Sequence, residues 1–185
     1  MKIFYLCSLS GKEKYLDKYK LIVQTCKKLG HEVYSDHVFK RTVSDVSSYN
    51  FKTHKKEYQK LVTLMKRSDA VIAEITFSST TVGNFITLAL QNFIPTLLLH
   101  QSDYHGLVVG DLNRLIKIST YSEKNISKIL QRFFKFAEKR RLSIRFNMMI
   151  DENIDQFLSK QSATWNVSKA EYLRRLIQQK IKREL

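Results

Sequence analysis

Asp69-Ala70-Val71-Ile72-Ala73-Glu74-Ile75-Thr76 runs on into Ser78-Ser79-Thr80-Thr81-Val82-Gly83, where a strand pattern gives way to a helical one. Ala70-Val71-Ile72-Ala73 is a short continuous apolar run, the pattern of a strand buried on both faces. The period then changes: Val82, Phe85, Ile86, Ala89 and Phe93 recur at helical spacing. Thr96-Leu97-Leu98-Leu99 is the next apolar run. Strand, helix, strand in this order predicts two parallel strands, because parallel neighbours need a long crossover.

The same grammar extends outward in both directions. Ile3-Phe4-Tyr5-Leu6-Cys7 reads as a first strand. Tyr15, Tyr19, Ile22, Val23 and Cys26 mark a helix that Gly30 closes. His31-Glu32-Val33-Tyr34 is a second short strand, and Tyr58, Leu61, Val62 and Met65 give another helix. Leu115 to Ile118 is a candidate fifth strand, and Ile126, Ile129, Leu130, Phe133 and Phe134 form a closing helix. The expected fold class is α/β: a parallel sheet with helices on both faces, over residues 1–138. Ligands of such sheets bind at the carboxyl ends of the strands.

From about Lys139 the pattern changes. Over residues 142–150, Ile144, Phe146, Met148 and Ile150 share one face, while Arg145, Asn147 and Met149 share the other. Asp151 is a candidate N-cap ahead of Ile154, Phe157 and Leu158. Ser168-Lys169-Ala170-Glu171 is a capping box ahead of Leu173, Leu176, Ile177 and Ile181. Residues 139–185 therefore read as strand, helix, helix. A unit this small buries too little surface to fold alone, and two copies that paired their strands would solve the problem.

Composition narrows the function classes. The 185-residue chain carries 32 Lys and Arg against 17 Asp and Glu, a net charge of +15. The excess suggests a polyanionic partner such as nucleic acid, with a merely solubilising Lys-rich surface as the alternative. Residues 139–185 hold 11 basic and 5 acidic residues, about twice the positive density of the rest. No apolar run approaches the ~18 residues of a membrane span. The N-terminus lacks a signal-peptide pattern, and two cysteines support neither a dense disulfide framework nor a zinc site alone, so a cytoplasmic setting is expected. The five histidines show no metal-ligand spacing, and no Walker or Rossmann glycine pattern occurs, so neither metal nor cofactor is expected.

The tail resembles the ribbon-helix-helix family of DNA-binding proteins, over Leu142 to about Lys182. The resemblance implies a dimer whose paired strands enter the major groove of double-stranded DNA. Arg145, Asn147 and Met149 would be the base readers. Ser168 and Lys169 would hold a phosphate at a helix start, and Arg140 and Arg141 would add backbone contacts. Met149 departs from the polar residue usual there. A module that only dimerises the chain is the competing reading.

The segment from Asp69 to Gly83, with the first strand ending at Ser8, Ser35-Asp36-His37-Val38 and the Ser68-Asp69 helix end, resembles the nucleoside 2-deoxyribosyltransferase superfamily. That group includes the 2′-deoxynucleoside 5′-phosphate N-hydrolases, and the likeness covers about residues 1–100. It implies a flavodoxin-like sheet and a pocket for a deoxynucleotide, with Ser8, His37, Ser79 and Gly83 as ligand-binding residues. The family pattern Val-Gly-aromatic-Glu supplies a carboxylate that attacks the anomeric carbon. Here the string is Val82-Gly83-Asn84-Phe85, and Phe85 can do neither nucleophilic nor electrostatic work. A second family carboxylate, on the preceding helix, is replaced by Leu61, with Glu57 one turn earlier on the same face. A family tyrosine in the first strand falls at Phe4, or at Tyr5 with a one-residue slip of the match, and Glu74 is expected to be structural. No catalytic residue is assigned.

Three readings of the front domain stand together: binding without turnover, a pocket filled by Phe85, and retained chemistry. The leading expectation for the whole chain is a dimeric or tetrameric DNA-binding transcriptional regulator with a catalytically degenerate nucleotide domain. The alternative is a deoxynucleoside or deoxynucleotide N-glycosidase or deoxyribosyltransferase whose tail drives oligomerisation. A purely structural assembly protein is a third reading.

Overall fold

The computed structural model describes residues 1–101, 115–140 and 148–184. The chain divides into two compact units, Met1–Leu142 and Ser143–Leu185, each described by itself.

In the first unit, the described residues form a parallel sheet of five strands: β1 (Lys2–Leu6), β2 (Glu32–Tyr34), β3 (Ala70–Glu74), β4 (Thr96–His100) and β5 (Ile116–Thr120). Their spatial order is β2-β1-β3-β4-β5, the doubly wound flavodoxin-like order. Every residue of β3 and β4 is buried, which explains their continuous apolar runs. Successive side chains still alternate between two cores. Ile3, Tyr5, Ile72, Leu97 and Leu99 pack on one face with Tyr19, Ile22 and Cys26 of α1 (Lys12–Lys28). Leu130, Phe133 and Phe134 of α6 (Ile126–Glu138) complete that core. Phe4, Leu6, Val71, Ala73 and Leu98 pack on the other face. There they meet Met65 of α4 (Phe51–Lys66) and Val82, Phe85, Ile86 and Ala89 of α5 (Thr80–Gln91).

Two short helices, α2 (Asp36–Phe39) and α3 (Val43–Ser47), lie between β2 and α4. The sequence pattern missed both because neither is long enough to show a period. Gly30 closes α1 with φ +83°, where a side chain would be strained. The stripe expected to reach Phe93 stops earlier: α5 ends at Gln91, and Phe93 turns the chain with φ +58°. Pro95 lies two residues on, where a helix cannot continue.

The second unit holds α7 (Glu152–Thr164) and α8 (Lys169–Glu184). Asp151 caps α7, its carboxylate accepting from the Ile154 N–H at 2.8 Å. Ser168 accepts from the Glu171 N–H at 3.2 Å and so starts α8. Leu158, Ser162 and Tyr172 are buried, and the Phe157 and Trp165 rings each lie 6.3 Å from Tyr172. The expected apolar stripes are present but uncovered: Ile154, Phe157, Ile177 and Ile181 are all exposed. Arg141, Arg145 and Asn147, and with them most of the expected ribbon, lie outside the described residues. No described helix is long and apolar enough to cross a membrane.

Candidate functional site

A cavity of about 390 Å³ opens at the carboxyl ends of β1 and β3, and its lining includes residues that follow β1, β2 and β3. This is the topological switch point of the sheet, where crossovers leave in opposite directions and cannot fill the space between them. The volume falls in the usual range for small-molecule sites, ~300–1,000 Å³.

Five elements build the walls, among them α3 with Val43, Val46 and Ser47. The loop after β1 contributes Cys7, Ser8, Leu9 and Ser10. It is held close by Gly11, where a Cβ would come within 2.7 Å of both Phe77 and Tyr19. The turn after β2 contributes His37, Val38 and Arg41. Ser79 caps α5, its hydroxyl facing the Val82 N–H at 3.4 Å, and brings Thr81, Val82 and Phe85 to the cavity. From α4 come His54, Glu57, Tyr58 and Leu61.

The turn that carries His37 and Arg41 is fixed from outside. The Lys12 ammonium donates to the carbonyls of Val38 at 3.0 Å, Phe39 at 3.0 Å and Arg41 at 2.8 Å. These three carbonyls lie at and just beyond the end of α2, where a cation is favoured. The Arg41 guanidinium donates to Glu57, and both side chains are mostly buried. Among the described residues, Glu57 is the one carboxylate and Arg41 the one permanently charged cation lining the cavity.

Aromatic rings form a continuous wall. The His37 ring stacks on Phe4 at 4.9 Å and 9°, Phe4 lies 5.9 Å from Phe85, and Phe85 lies 5.6 Å from Tyr58. Phe85 is only 2% exposed and makes up part of the apolar core. Asn84 donates to the Tyr58 hydroxyl at 3.1 Å. Burial, reinforced by the Arg41 charge, pushes His37 down to about 4, against a hydrogen bond to the Tyr5 backbone that favours the charged ring. The ring is therefore neutral at pH 7. Its Nε2 is buried and has no hydrogen-bond partner among the described residues.

Ser8, His37 and Ser79 thus meet around one cavity. Gly83 does not line it, and its Cβ position faces open space. Leu61 and Phe85 both line the cavity, so an apolar side chain stands at each expected carboxylate position. Glu74 lies outside the lining. It is fully buried, Thr76 and Tyr121 donate to its Oε1, and burial raises its carboxyl. Arg41 and Lys12 escaped the sequence reading. Arg41 sits between elements with no period around it, and Lys12 has the same sequence pattern as any surface lysine on a basic helix. No group of His, Cys, Asp and Glu among the described residues could hold a metal ion.

No protein-family model matches the sequence. Three archaeal proteins, each provisionally named 2′-deoxynucleoside 5′-phosphate N-hydrolase 1, are similar to it. The one from Methanosarcina mazei is 34% identical over 128 residues, covering 68% of this chain and 78% of the relative. The Methanosarcina barkeri protein is 33% identical over 135 residues, 71% of this chain and 84% of its own. That of Methanococcoides burtonii is 30% identical over 126 residues, covering 68% and 97%. Among solved structures, the fold is similar to the CMP N-glycosidase BcmB of Clostridium botulinum, with TM-score 0.50 and 16% identity over 72% of this chain and 99% of that one. It is also similar to the 2-deoxyribosyltransferase of Bacillus psychrosaccharolyticus, with TM-score 0.50 and 12% identity over 69% and 90%.

These likenesses correct the leading expectation from sequence, a DNA-binding transcriptional regulator. The relatives are named as N-hydrolases, and none is named as a regulator. The net charge that suggested DNA reports solubility and nonspecific attraction and carries no information on chemistry. Of the tail residues expected to contact DNA, Ser168 accepts from the Glu171 N–H through its hydroxyl oxygen, and the Lys169 ammonium is paired with Asp155 at 2.6 Å. Arg140 lies over the Phe136 ring at 4.6 Å, and Met149 is fully exposed.

Proposed function

Because the chain belongs to the 2′-deoxynucleoside 5′-phosphate N-hydrolase family, we propose that its cavity takes a 2′-deoxynucleoside 5′-phosphate and acts on the N-glycosidic bond. The observation that carries this reading is the convergence of Ser8, Ser79, Arg41 and Glu57 on one cavity at the switch point. The serine hydroxyls and the α5 start suit a phosphate. The aromatic wall suits a planar base. Glu57 supplies the carboxylate that the Phe85 and Leu61 positions lack. It would face the anomeric carbon, either bonding to it as a glycosyl ester or stabilising oxocarbenium charge. The net reaction consumes one water and yields free base and 2-deoxyribose 5-phosphate. Incubation with each of the four 2′-deoxynucleoside 5′-phosphates, with free base measured by chromatography, tests this. Base release should be lost in Glu57→Gln.

One observation favours a second reading, binding without cleavage. Phe85 is packed into the core where the family pattern places its attacking glutamate. Calorimetric binding without base release would select it.

The tail is proposed as an oligomerisation unit. Phe157, Trp165, Ile177 and Ile181 are each about half exposed on a two-helix unit that buries little of its own. A second copy of the same unit would cover them. Sedimentation velocity with the tail intact and with Phe157→Ser/Ile177→Ser tests this.

A further inference from the structure

The Arg41–Glu57 pair closes on itself inside the cavity: the one carboxylate of the described lining is tied up by the one arginine. Left so, the carboxylate is screened from a sugar and the guanidinium from a phosphate. We propose that this pair is a substrate-operated latch, in which the phosphate of the ligand takes Arg41 and thereby frees Glu57. The inference rests on the nucleotide reading above and adds to it how a 5′-phosphate is demanded.

The chemistry favours the exchange. A phosphate monoester carries about −1.5 to −2 charge at pH 7 and three strong acceptor oxygens. A guanidinium fork can bind it bidentately, as it binds a carboxylate. The phosphate brings the larger charge, so it competes well against a single carboxylate in a shielded space. The geometry favours it too. The Arg41 backbone cannot retreat, because Lys12 holds the carbonyls of Val38, Phe39 and Arg41. Glu57 sits on a regular helix, α4, next to Tyr58 on the aromatic wall. Exchange therefore needs only side-chain rotation, with no movement of the fold. No proton or covalent bond changes hands. A nucleoside without phosphate brings no anion, leaves the pair closed and finds no free carboxylate.

The test is calorimetric binding of 2′-deoxyadenosine 5′-phosphate and of 2′-deoxyadenosine to wild type, Arg41→Ala and Glu57→Gln, with base release followed in parallel. Wild type should prefer the phosphorylated ligand by at least tenfold. Arg41→Ala should cut the preference at least fivefold, leaving the part that Ser8, Ser79 and the α5 start supply. Glu57→Gln should tighten the phosphorylated ligand about tenfold, because its competitor for Arg41 is gone, and leave the nucleoside within twofold. Unchanged or weaker binding of the phosphorylated ligand to Glu57→Gln overturns the latch, as does a preference that Arg41→Ala leaves undiminished. The two proposals fail separately. Tightening in Glu57→Gln without base release by wild type keeps the latch and sinks the cleavage reading. Absence of binding by either ligand sinks both.

Discussion

Removing the Lys12 ammonium should loosen the turn that carries His37 and Arg41. In Lys12→Met the aliphatic stem is roughly kept and three hydrogen bonds, at 3.0, 3.0 and 2.8 Å, are lost. A hydrogen bond to a charged group contributes about 1.5–3 kcal/mol. Three independent bonds would sum to three times that, about 4.5–9 kcal/mol, but these carbonyls are only partly buried and recover water when the ammonium leaves. We therefore expect a loss of about 3 kcal/mol. For a domain of this size about 1 kcal/mol moves Tm by ~2–4 °C, so the midpoint should fall by about 6–12 °C. Affinity for 2′-deoxyadenosine 5′-phosphate should fall at least tenfold, because the cost of ordering the turn is then met by the ligand. Lys12→Arg should recover part of both losses, since a rigid planar fork cannot aim at three carbonyls as an ammonium does. Differential scanning calorimetry and titration calorimetry read the two effects. A midpoint within 2 °C of wild type, with affinity unchanged, would show that Lys12 does not hold this turn.

Three further outcomes are expected of the same structure. His37 titrates near pH 4 when folded against about 6.5 when unfolded. Its contribution to stability is present above pH 6.5 and is lost as pH falls toward 4, at roughly 3 kcal/mol for a shift of this size before allowance for partial solvent access. His31 is lowered as well, so urea midpoints are compared between wild type and His37→Gln, and the variant should show the shallower decline over that window. Phe85→Ala should cost about 3–5 kcal/mol, as for other buried phenylalanines, while Phe85→Glu should raise base release if circular dichroism shows the fold intact. Trp165 is the one tryptophan of the chain and is 53% exposed. Its emission should shift to the blue as protein concentration rises through the dimerisation range, and a spectrum independent of concentration from nanomolar to 0.1 millimolar would count against pairing of the tails.

Most of the first unit was legible in the sequence because its signal is local. The apolar runs at Ala70–Ala73 and Thr96–Leu99 are strands buried on both faces, and burial on both faces is what makes a run continuous. The periods of α1, α4, α5 and α6 follow from one face of each helix meeting the sheet. What escaped was short or long-range. α2 and α3 are too short for a period. Arg41 and Glu57 are 16 residues apart, and only the fold shows that they share a cavity. The serines and His37 were found through a family resemblance, not through any pattern of their own. The same resemblance named Gly83, which follows the lining residue Val82 on α5 but is not itself in the lining. The regulator expectation failed because net charge and a small helical tail weighed more than the chemistry of the larger unit.

A cavity that takes 2′-deoxynucleoside 5′-phosphates and sets their N-glycosidic bond against Glu57 must release base through that carboxylate. Chromatography of each 2′-deoxynucleoside 5′-phosphate after incubation with wild type and with Glu57→Gln reads this without an intermediary. Free base and 2-deoxyribose 5-phosphate are expected in equal amounts from wild type, above the buffer control, and neither from Glu57→Gln. Equal base release from both proteins, or none from wild type, would contradict the cleavage reading.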